Sequence, residues 1–537
     1  MEIKFQINGR EVIAQEDEML LDVLRRNGIK ILTLCHLKGF SPTGACRLCV
    51  VEIEGMRDLV TSCSFPVKEG INVFTSTSRV IKARKAIVEL LLSNHPDDCL
   101  YCCRNGNCEI QWLALEMNVK ERKFYGNRHF PNPDQSSTSV YRDPAKCVLC
   151  SRCVRVCEEV QLVTAVDFIS RGNKTLVNSA FNKGLNISSC INCGACIMVC
   201  PGGALTDISH IEKVENELNK EDKSVCAFIS PDFVASVVEH FDLKIQNGNA
   251  AKGIIAAGLK AIGFDKVFDT SDCVILNING DAQSLADKVL SNDTSPVISS
   301  CCPAWYNFVE EFRPEWMDYL SIQKTPQQLA GYTLKNKHKS LFGDKEIYAV
   351  SLTACVANKF EASRIENTKE GVSDIDAVLT VREFISILKT HGVVLAGLAP
   401  AELDKPFNNT AGEAYKHGYS GGKAEAVALR LYNQLNTTKS NDFKFQQPKQ
   451  GNRKETVLNI SKKDIGFVWP SGISEAVSYI DELLMSGPAK NYYIEVMACP
   501  GGCAGGGGQP VSRNENKIKN RKKICQDFSD LASNKKG

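Results

Sequence analysis

The sequence predicts a multidomain chain. Its N-terminal part is α+β and its C-terminal part is two-lobed α/β with parallel sheets. Three observations predict this. An Asn8-Gly9 hairpin signal opens the chain, most of its 24 cysteines fall in tight groups before residue 201, and apolar strand-like runs alternate with helical patterns after residue 223. At 537 residues there is room for about three or four domains. Hydrophobic residues make up 43% and charged residues 23%, the balance of an ordinary globular protein. The formal net charge of +2 gives no reason to expect a nucleic-acid or membrane-surface partner. No run of about 18 apolar residues suggests a membrane span, and the N-terminus lacks a signal-peptide pattern. Grouped thiols point to metal rather than disulfides, so a reducing, cytoplasmic setting is expected.

Ile3–Ile7 and Arg10–Ala14 flank Asn8-Gly9, a pair suited to a two-residue turn with positive φ at both positions. A short amphipathic helix around Met19, Leu20, Val23 and Leu24 follows, with Gly28 placed to stop it. Cys35, Cys46, Cys49 and Cys63 come next. A hairpin, a helix and then a cysteine loop is the order of a β-grasp 2Fe–2S ferredoxin, expected over 1–78. A zinc knuckle is the alternative. Helical periodicity over Arg79–Leu92 leads to His95, Cys99, Cys102 and Cys108, which together can hold a 4Fe–4S cluster in a small helical domain over 79–125. Cys103 is a further thiol there, and a four-cysteine site without His95 is the local rival.

The most specific signal is an internal repeat over 126–210. Cys147, Cys150, Cys153 and Cys157 are followed by Cys190, Cys193, Cys196 and Cys200 at the same spacing. This is the two-cluster ferredoxin run, in which each fourth cysteine crosses to the other cluster. Cys157 is therefore expected with the second trio and Cys200 with the first. A charged, helical link over Glu212–Lys223 ends this part.

Beyond it, Ser224–Ser230, Cys273–Ile278, Pro296–Ser299, Ile347–Leu352, Ala377–Leu379 and Tyr492–Met497 read as buried strands. Ligands gather beyond the carboxyl ends of such parallel strands. Three thiol loops lie at those ends: Cys301-Cys302-Pro303, Cys355, and Cys499-Pro500-Gly501-Gly502-Cys503 with the glycine run after it. Glycine suits backbone that must pass close to a bulky group, so these loops suggest a metal cluster held against main chain. Asn433–Glu455 reads as a surface excursion, and the Lys-rich stretch 516–537 as a solvated tail. No Gly-x-Gly-x-x-Gly follows a strand, so no nicotinamide or flavin site is indicated.

The thiol loops resemble the active-site motifs of the FeFe, or iron-only, hydrogenases. The resemblance runs from Ile3 to about Arg513, with an N-terminal arrangement like that of the large clostridial monomeric enzymes. The family's first motif, Thr-Ser-Cys-Cys-Pro-x-Trp, corresponds to Ser299 through Trp305. Its third, Glu-x-Met-Ala-Cys-x-x-Gly-Cys-x-x-Gly-Gly-Gly-Gln, is matched from Glu495. The resemblance implies an H-cluster domain over 224–515. Cys302, Cys355, Cys499 and Cys503 hold its 4Fe–4S half, and Cys503 bridges to a diiron unit with CO, cyanide and dithiolate ligands. Cys301 is implied as the proton-exchanging thiol, with Pro231, Pro326, Gln327 and Met497 in the pocket wall. One 2Fe–2S and three accessory 4Fe–4S clusters complete the set. Cys103, Cys226, Cys273 and Cys525 are left over and read as structural.

The second motif, Met-Pro-Cys-x-x-Lys-x-x-Glu, is altered. Thr353 and Ala354 replace Met-Pro, and Asn358 stands where the resemblance places a cyanide-holding lysine, with Lys359 adjacent. The family's proton route of two glutamates and a serine maps to Asp281, Ser284 and Ser321. The stretch after Pro510 also departs from the family's usual ending. The implied activity is 2 H⁺ + 2 e⁻ ⇌ H₂, with ferredoxin or a similar carrier as electron partner, maturation proteins supplying the diiron unit, and a monomeric chain. Two rivals are a slow hydrogen sensor, favoured by the altered motif, and an electron-transfer or cluster-assembly protein. The latter is suggested by N-terminal modules that resemble the iron–sulfur subunit of respiratory NADH dehydrogenases.

Overall fold

The opening turn behaves as its residues require. Asn8 and Gly9 take φ values of 50° and 79° and join β1 (Glu2–Ile7) to β2 (Arg10–Gln15) in antiparallel register. Ile3, Phe5 and Ile7 alternate into a core with the buried face of α1 (Leu20–Arg26), which Gly28 at φ 76° leaves. With β3 (Val50–Ile53), β4 (Val60–Thr61) and β5 (Asn72–Phe74) these form a five-stranded mixed sheet ordered β2-β1-β5-β3-β4. Thr77 caps α2 (Ser78–Asn94) by accepting from the Val80 N–H, and α2 runs to His95. The following cysteine loop closes on α3 (Glu109–Glu116).

The cysteine repeat is visible in the backbone. Leu149 and Ser151 have φ of 52° and 62°, and the equivalent Asn192 and Gly194 have 58° and 72°. Each run thus turns its peptide N–H groups inward before a short helix, Arg152–Arg155 or Ala195–Val199. The charged link contains a helix at Ile211–Leu218.

After it, in chain order, come β6 (Lys223–Ile229), β7 (Lys266–Asp269), α4 (Ser271–Ser291), β8 (Val297–Ile298) and α5 (Pro303–Phe312). Then follow β9 (Glu346–Thr353), α6 (Ala357–Ala362), β10 (Ala377–Thr380) and α7 (Gly422–Leu435). The last are β11 (Glu455–Ile460), β12 (Lys463–Val468), β13 (Asn491–Ile494) and α8 (Asn516–Ser533). One sheet is all parallel, β7-β6-β9-β10, and the other is β8-β13-β12-β11 with β11 antiparallel. Together they make a two-lobed α/β unit. This computed structural model describes residues 1–125, 131–245, 247–407, 412–436, 445, 454–512, 514 and 516–533. Most of the predicted excursion at Asn433–Glu455 lies outside the described residues. Among the described residues no helix is long and apolar enough to cross a membrane.

Three expectations need correction. Cys273–Ile278 is not a strand but the first turns of the 21-residue α4, buried at Cys273, Val274, Asn277, Ile278, Asp281, Ala282 and Leu285. That three-and-four spacing continues past the apolar run, which by itself was too short to separate strand from helix. β7 and the β11–β12 hairpin were missed; β11 keeps much of its surface exposed and lacks a continuous apolar run. The stretch after residue 515 is no solvated tail. α8 packs on the helix Pro231–His240 and on Gly412–Gly418, burying Cys525, Phe528 and Arg521. Arg521 donates from Nη1 to Ala504 O at 3.0 Å and from Nε to Glu239 at 3.2 Å. Charged residues on its outer face masked the amphipathic pattern.

Arg521→Ala is expected to lower stability by about 2–3 kcal/mol, since it strands the buried Ala504 carbonyl and half of the Glu239 pairing. Thermal unfolding measures this; an unchanged midpoint would mean that α8 does not dock.

Candidate functional site

The N-terminal thiols fall into compact groups. Cys35, Cys49 and Cys63 are buried and Cys46 half-buried, and the Cys35 N–H donates to Cys46 Sγ at 3.4 Å. His95 is buried, with Nδ1 3.0 Å from Pro96 O and Nε2 buried without a hydrogen-bond partner. An Nδ1–H donated to that carbonyl leaves Nε2 a free lone pair, the usual state of a ligating imidazole. Cys108 is buried and Cys99 and Cys102 half-buried, whereas Cys103 is exposed. The eight cysteines of the repeat line one apolar hollow. Within it Cys200 faces Cys147, Cys150 and Cys153, and Cys157 faces Cys190, Cys193 and Cys196. Among the described residues no three His, Cys, Asp or Glu side chains close on a single point as a lone metal ion requires. Thiols spread around a hollow suit a cluster rather than one zinc ion.

The second site forms where the two sheets of the α/β unit end side by side. Cys301 and Cys302 follow β8, Cys355 follows β9, and Cys499 and Cys503 follow β13. Cys302 stands before Pro303, which begins α5. All five cysteines line one cavity with Pro231, Pro326, Gln327, Thr353, Asn358 and Met497. Burial pushes the Cys302 thiol up to about 11 and the Cys499 thiol up to about 12, and raises Cys355 and Cys503 well above the ordinary thiol range. Four such thiols ionise together only against a strong positive charge, which a metal cluster supplies. The glycine run serves protein contacts more than ligand contacts. A Cβ on Gly506 would meet Ala354 O at 2.5 Å, and one on Gly507 would meet Cys193 O at 2.5 Å. That second contact sets the thiol loop directly against the ferredoxin repeat. Gln161 adds a bond from Nε2 to Ala498 O at 3.0 Å.

The altered second motif has a specific geometry. Asn358 Nδ2 donates to Thr353 Oγ1 at 3.1 Å, so the two replacements bond to each other at the cavity wall. Lys359 does not substitute for the missing lysine. It is buried on the other side of α6, with Nζ 2.8 Å from both carboxylate oxygens of Glu383 and 2.6 Å from Ile208 O.

Asp281 and Ser321 do meet: the Ser321 hydroxyl donates to Asp281 Oδ1. Ser284 does not join them, because its hydroxyl turns back to Gly280 O at 3.0 Å within α4. The fully buried Asp281 instead takes Lys423 Nζ at 2.6 Å and the Tyr493 hydroxyl at 2.7 Å on Oδ2. Burial works against the Lys423 ammonium, but Asp281 more than offsets it and holds the group above the usual lysine range. Sequence reasoning missed Lys423, the partner of Asp281, along with two cavity residues, Asp232 and His417. Asp232 accepts from the Ala354 N–H at 3.2 Å, and His417 has a buried Nε2 without a hydrogen-bond partner. Burial, with the Lys423 charge, lowers His417 to about 4, so its ring is neutral. No local pattern marks these residues; only the fold brings them to the site.

The family model of the iron only hydrogenase large subunit, C-terminal domain, matches residues 223–507. The 2Fe-2S iron-sulfur cluster binding domain matches 1–78, and the NADH-ubiquinone oxidoreductase-G iron-sulfur binding region matches 84–123. The ferredoxin-like domain of NADH-quinone oxidoreductase subunit 3 matches 138–206. The chain is 36% identical to the NADP-reducing hydrogenase subunit HndD of Solidesulfovibrio fructosivorans, over 95% of this chain and 89% of that one. It is 32% identical to iron hydrogenase 1 of Clostridium pasteurianum, over 94% and 88%. Among solved structures it is similar to an apo FeFe-hydrogenase HydA1 variant from Chlamydomonas reinhardtii, with a TM-score of 0.51 and 25% identity over 59% of this chain and 88% of that one.

Burial lifts the Glu361 carboxyl from 4.5 to about 7. The folded protein therefore keeps a proton that the unfolded chain releases, and stability falls as pH rises from about 4.5 to about 7. Glu361→Gln removes this loss while keeping an acceptor for Gln327 Nε2, now 3.0 Å away. Its melting temperature relative to the unsubstituted protein is expected to rise between pH 5 and pH 8; a constant difference would refute the shift.

Proposed function

The chain belongs to the iron-only hydrogenase family, and from that premise we propose that it interconverts protons and molecular hydrogen, 2 H⁺ + 2 e⁻ ⇌ H₂. The observation that carries this reading is the single cavity shared by Cys301, Cys302, Cys355, Cys499 and Cys503 at the carboxyl ends of strands from two sheets. Cys302, Cys355, Cys499 and Cys503 would hold the cubane half of the H-cluster, and Cys503 would reach the diiron half. When bound, that cofactor supplies the hydrogen-forming and hydrogen-splitting chemistry. The chain would hold it in a largely buried cavity and bring protons to Cys301, the free thiol beside it. Pro231, Pro326, Gln327 and Met497 shape the wall. Cys35, Cys46, Cys49 and Cys63 would take a 2Fe–2S cluster. His95, Cys99, Cys102 and Cys108 would take a 4Fe–4S cluster, and the paired runs two more.

Electrons would reach the cavity through the cysteine repeat, whose Cys193 lies against Gly507. The donor would be ferredoxin or a similar soluble carrier in a reducing cytoplasm, and the chain would act as a monomer. The likeness to an NADP-reducing hydrogenase subunit supports a second arrangement, in which a partner subunit with its own nucleotide site exchanges electrons with the N-terminal modules.

A slow hydrogen sensor is the second functional reading, favoured by the Asn358–Thr353 pair. The cavity offers no cation at that wall, and a neutral amide makes hydrogen bonds about half as strong as a charged donor does. Steady-state hydrogen evolution with reduced viologen separates the two, since a sensor turns over orders of magnitude more slowly. Infrared bands of metal-bound CO and cyanide are expected in the mature protein, and their absence would leave only the electron-transfer reading. Asn358→Lys is expected to raise hydrogen evolution several-fold; equal rates would remove the second motif as the cause of slow turnover.

A further inference from the structure

Asp281 and Ser321 make half a proton route. With Ser284 turned away, something else must join Asp281 to Cys301. Lys423 lies at that point, fully buried, with Nζ 2.6 Å from Asp281 Oδ2 and 3.1 Å from Ser299 Oγ. Ser299 Oγ is in turn 3.2 Å from Cys301 Sγ. At the other end Ser321 lines an outer cavity that opens to solvent. The contacts form one unbroken series from solvent to the cofactor cavity: Ser321, Asp281, Lys423, Ser299, Cys301.

We propose that Lys423 and Ser299 carry protons between Asp281 and Cys301, a role for which a second carboxylate would otherwise be needed. The inference rests on the hydrogenase reading above. An ammonium has three N–H donors, and a hydroxyl both donates and accepts, so each member can hand on one proton as it receives another. When Cys301 has given up its proton, the Ser299 hydroxyl proton moves to Sγ and a Lys423 proton moves to Ser299 Oγ. Ser321 then passes its proton to Asp281 Oδ1 and takes another from the outer cavity, and a turn of the carboxyl about its Cβ–Cγ bond presents the new O–H to the neutral amine, which takes that proton. One proton has moved inward, no electron has moved, and every group is restored. Hydrogen uptake runs the same series outward. Stability alone is a poor explanation for this pair, because a buried ion pair is often no better than apolar residues of the same volume. The Tyr493 hydroxyl donates to Asp281 Oδ2 at 2.7 Å and holds the ionised carboxylate in its resting orientation between transfers.

The decisive variants are Lys423→Arg and Ser299→Ala in the mature holoenzyme. Arginine keeps the charge beside Asp281 but releases no proton at ordinary pH. Lys423→Arg is expected to retain the CO and cyanide infrared bands, to lose about 10²-fold or more in both hydrogen evolution and hydrogen–deuterium exchange, and to show a larger solvent isotope effect. Ser299→Ala, which removes no charge, is expected to do the same. If either variant keeps the bands and at least a third of the rate with an unchanged isotope effect, the relay is wrong and Lys423 merely positions Asp281. If Lys423→Arg fails to assemble, Ser299→Ala decides by the same criteria. Missing bands in the unsubstituted protein would sink the hydrogenase reading instead, a separate outcome.

Discussion

The structure depends on strand ends. Parallel strands deliver every loop that follows them to the same edge of a sheet, and here two such edges lie side by side. Cys355 comes from one sheet, and Cys301, Cys302, Cys499 and Cys503 from the other. No single element could hold these thiols around one cavity. The buried strands, the helices that cover them and α8 keep the two edges in register. Arg521 of α8 bonds to Ala504 O, the residue after Cys503, so the last helix braces the most crowded thiol loop.

The same geometry sets the ferredoxin repeat against the thiol loop. Gly507 lies close to Cys193 O, and the Gln161 side chain holds Ala498 O. Glycine matters here because a Cβ at 507 would push the two cluster hollows apart. The first hollow is connected outward as well: Cys108 and Cys150 share a core with Cys35, which brings the N-terminal thiol groups to the far side of the repeat.

Two of the buried ion pairs in the α/β unit have different surroundings. Lys359–Glu383 is anchored by backbone: Lys359 Nζ also bonds Ile208 O, and Glu383 caps its own helix with Thr380. It ties the ferredoxin part to the α/β unit and leaves the cofactor cavity without a cation at Asn358. Lys423–Asp281 is surrounded by hydroxyls and a thiol, groups that both give and receive protons. The first is built to stay fixed and the second to conduct.

Much was legible in the sequence because it is local. Turn chemistry at Asn8-Gly9, the repeated cysteine spacing and the thiol loops after apolar strands follow from a few adjacent residues each. Resemblance added which thiols share a cavity. What the tertiary structure alone decided is what distant residues do to one another. Ser284 stands at the spacing of a relay residue, yet helix geometry lets it bond its own backbone. Asn358 is tied to Thr353 and Lys359 to Glu383, which adjacency in sequence could not separate. Lys423 carries no motif at all; its role comes from a fold that removes it from water and leaves Asp281 and Ser299 as its partners. Backbone preference is set within a few residues, whereas the partner of a buried charge is set by packing.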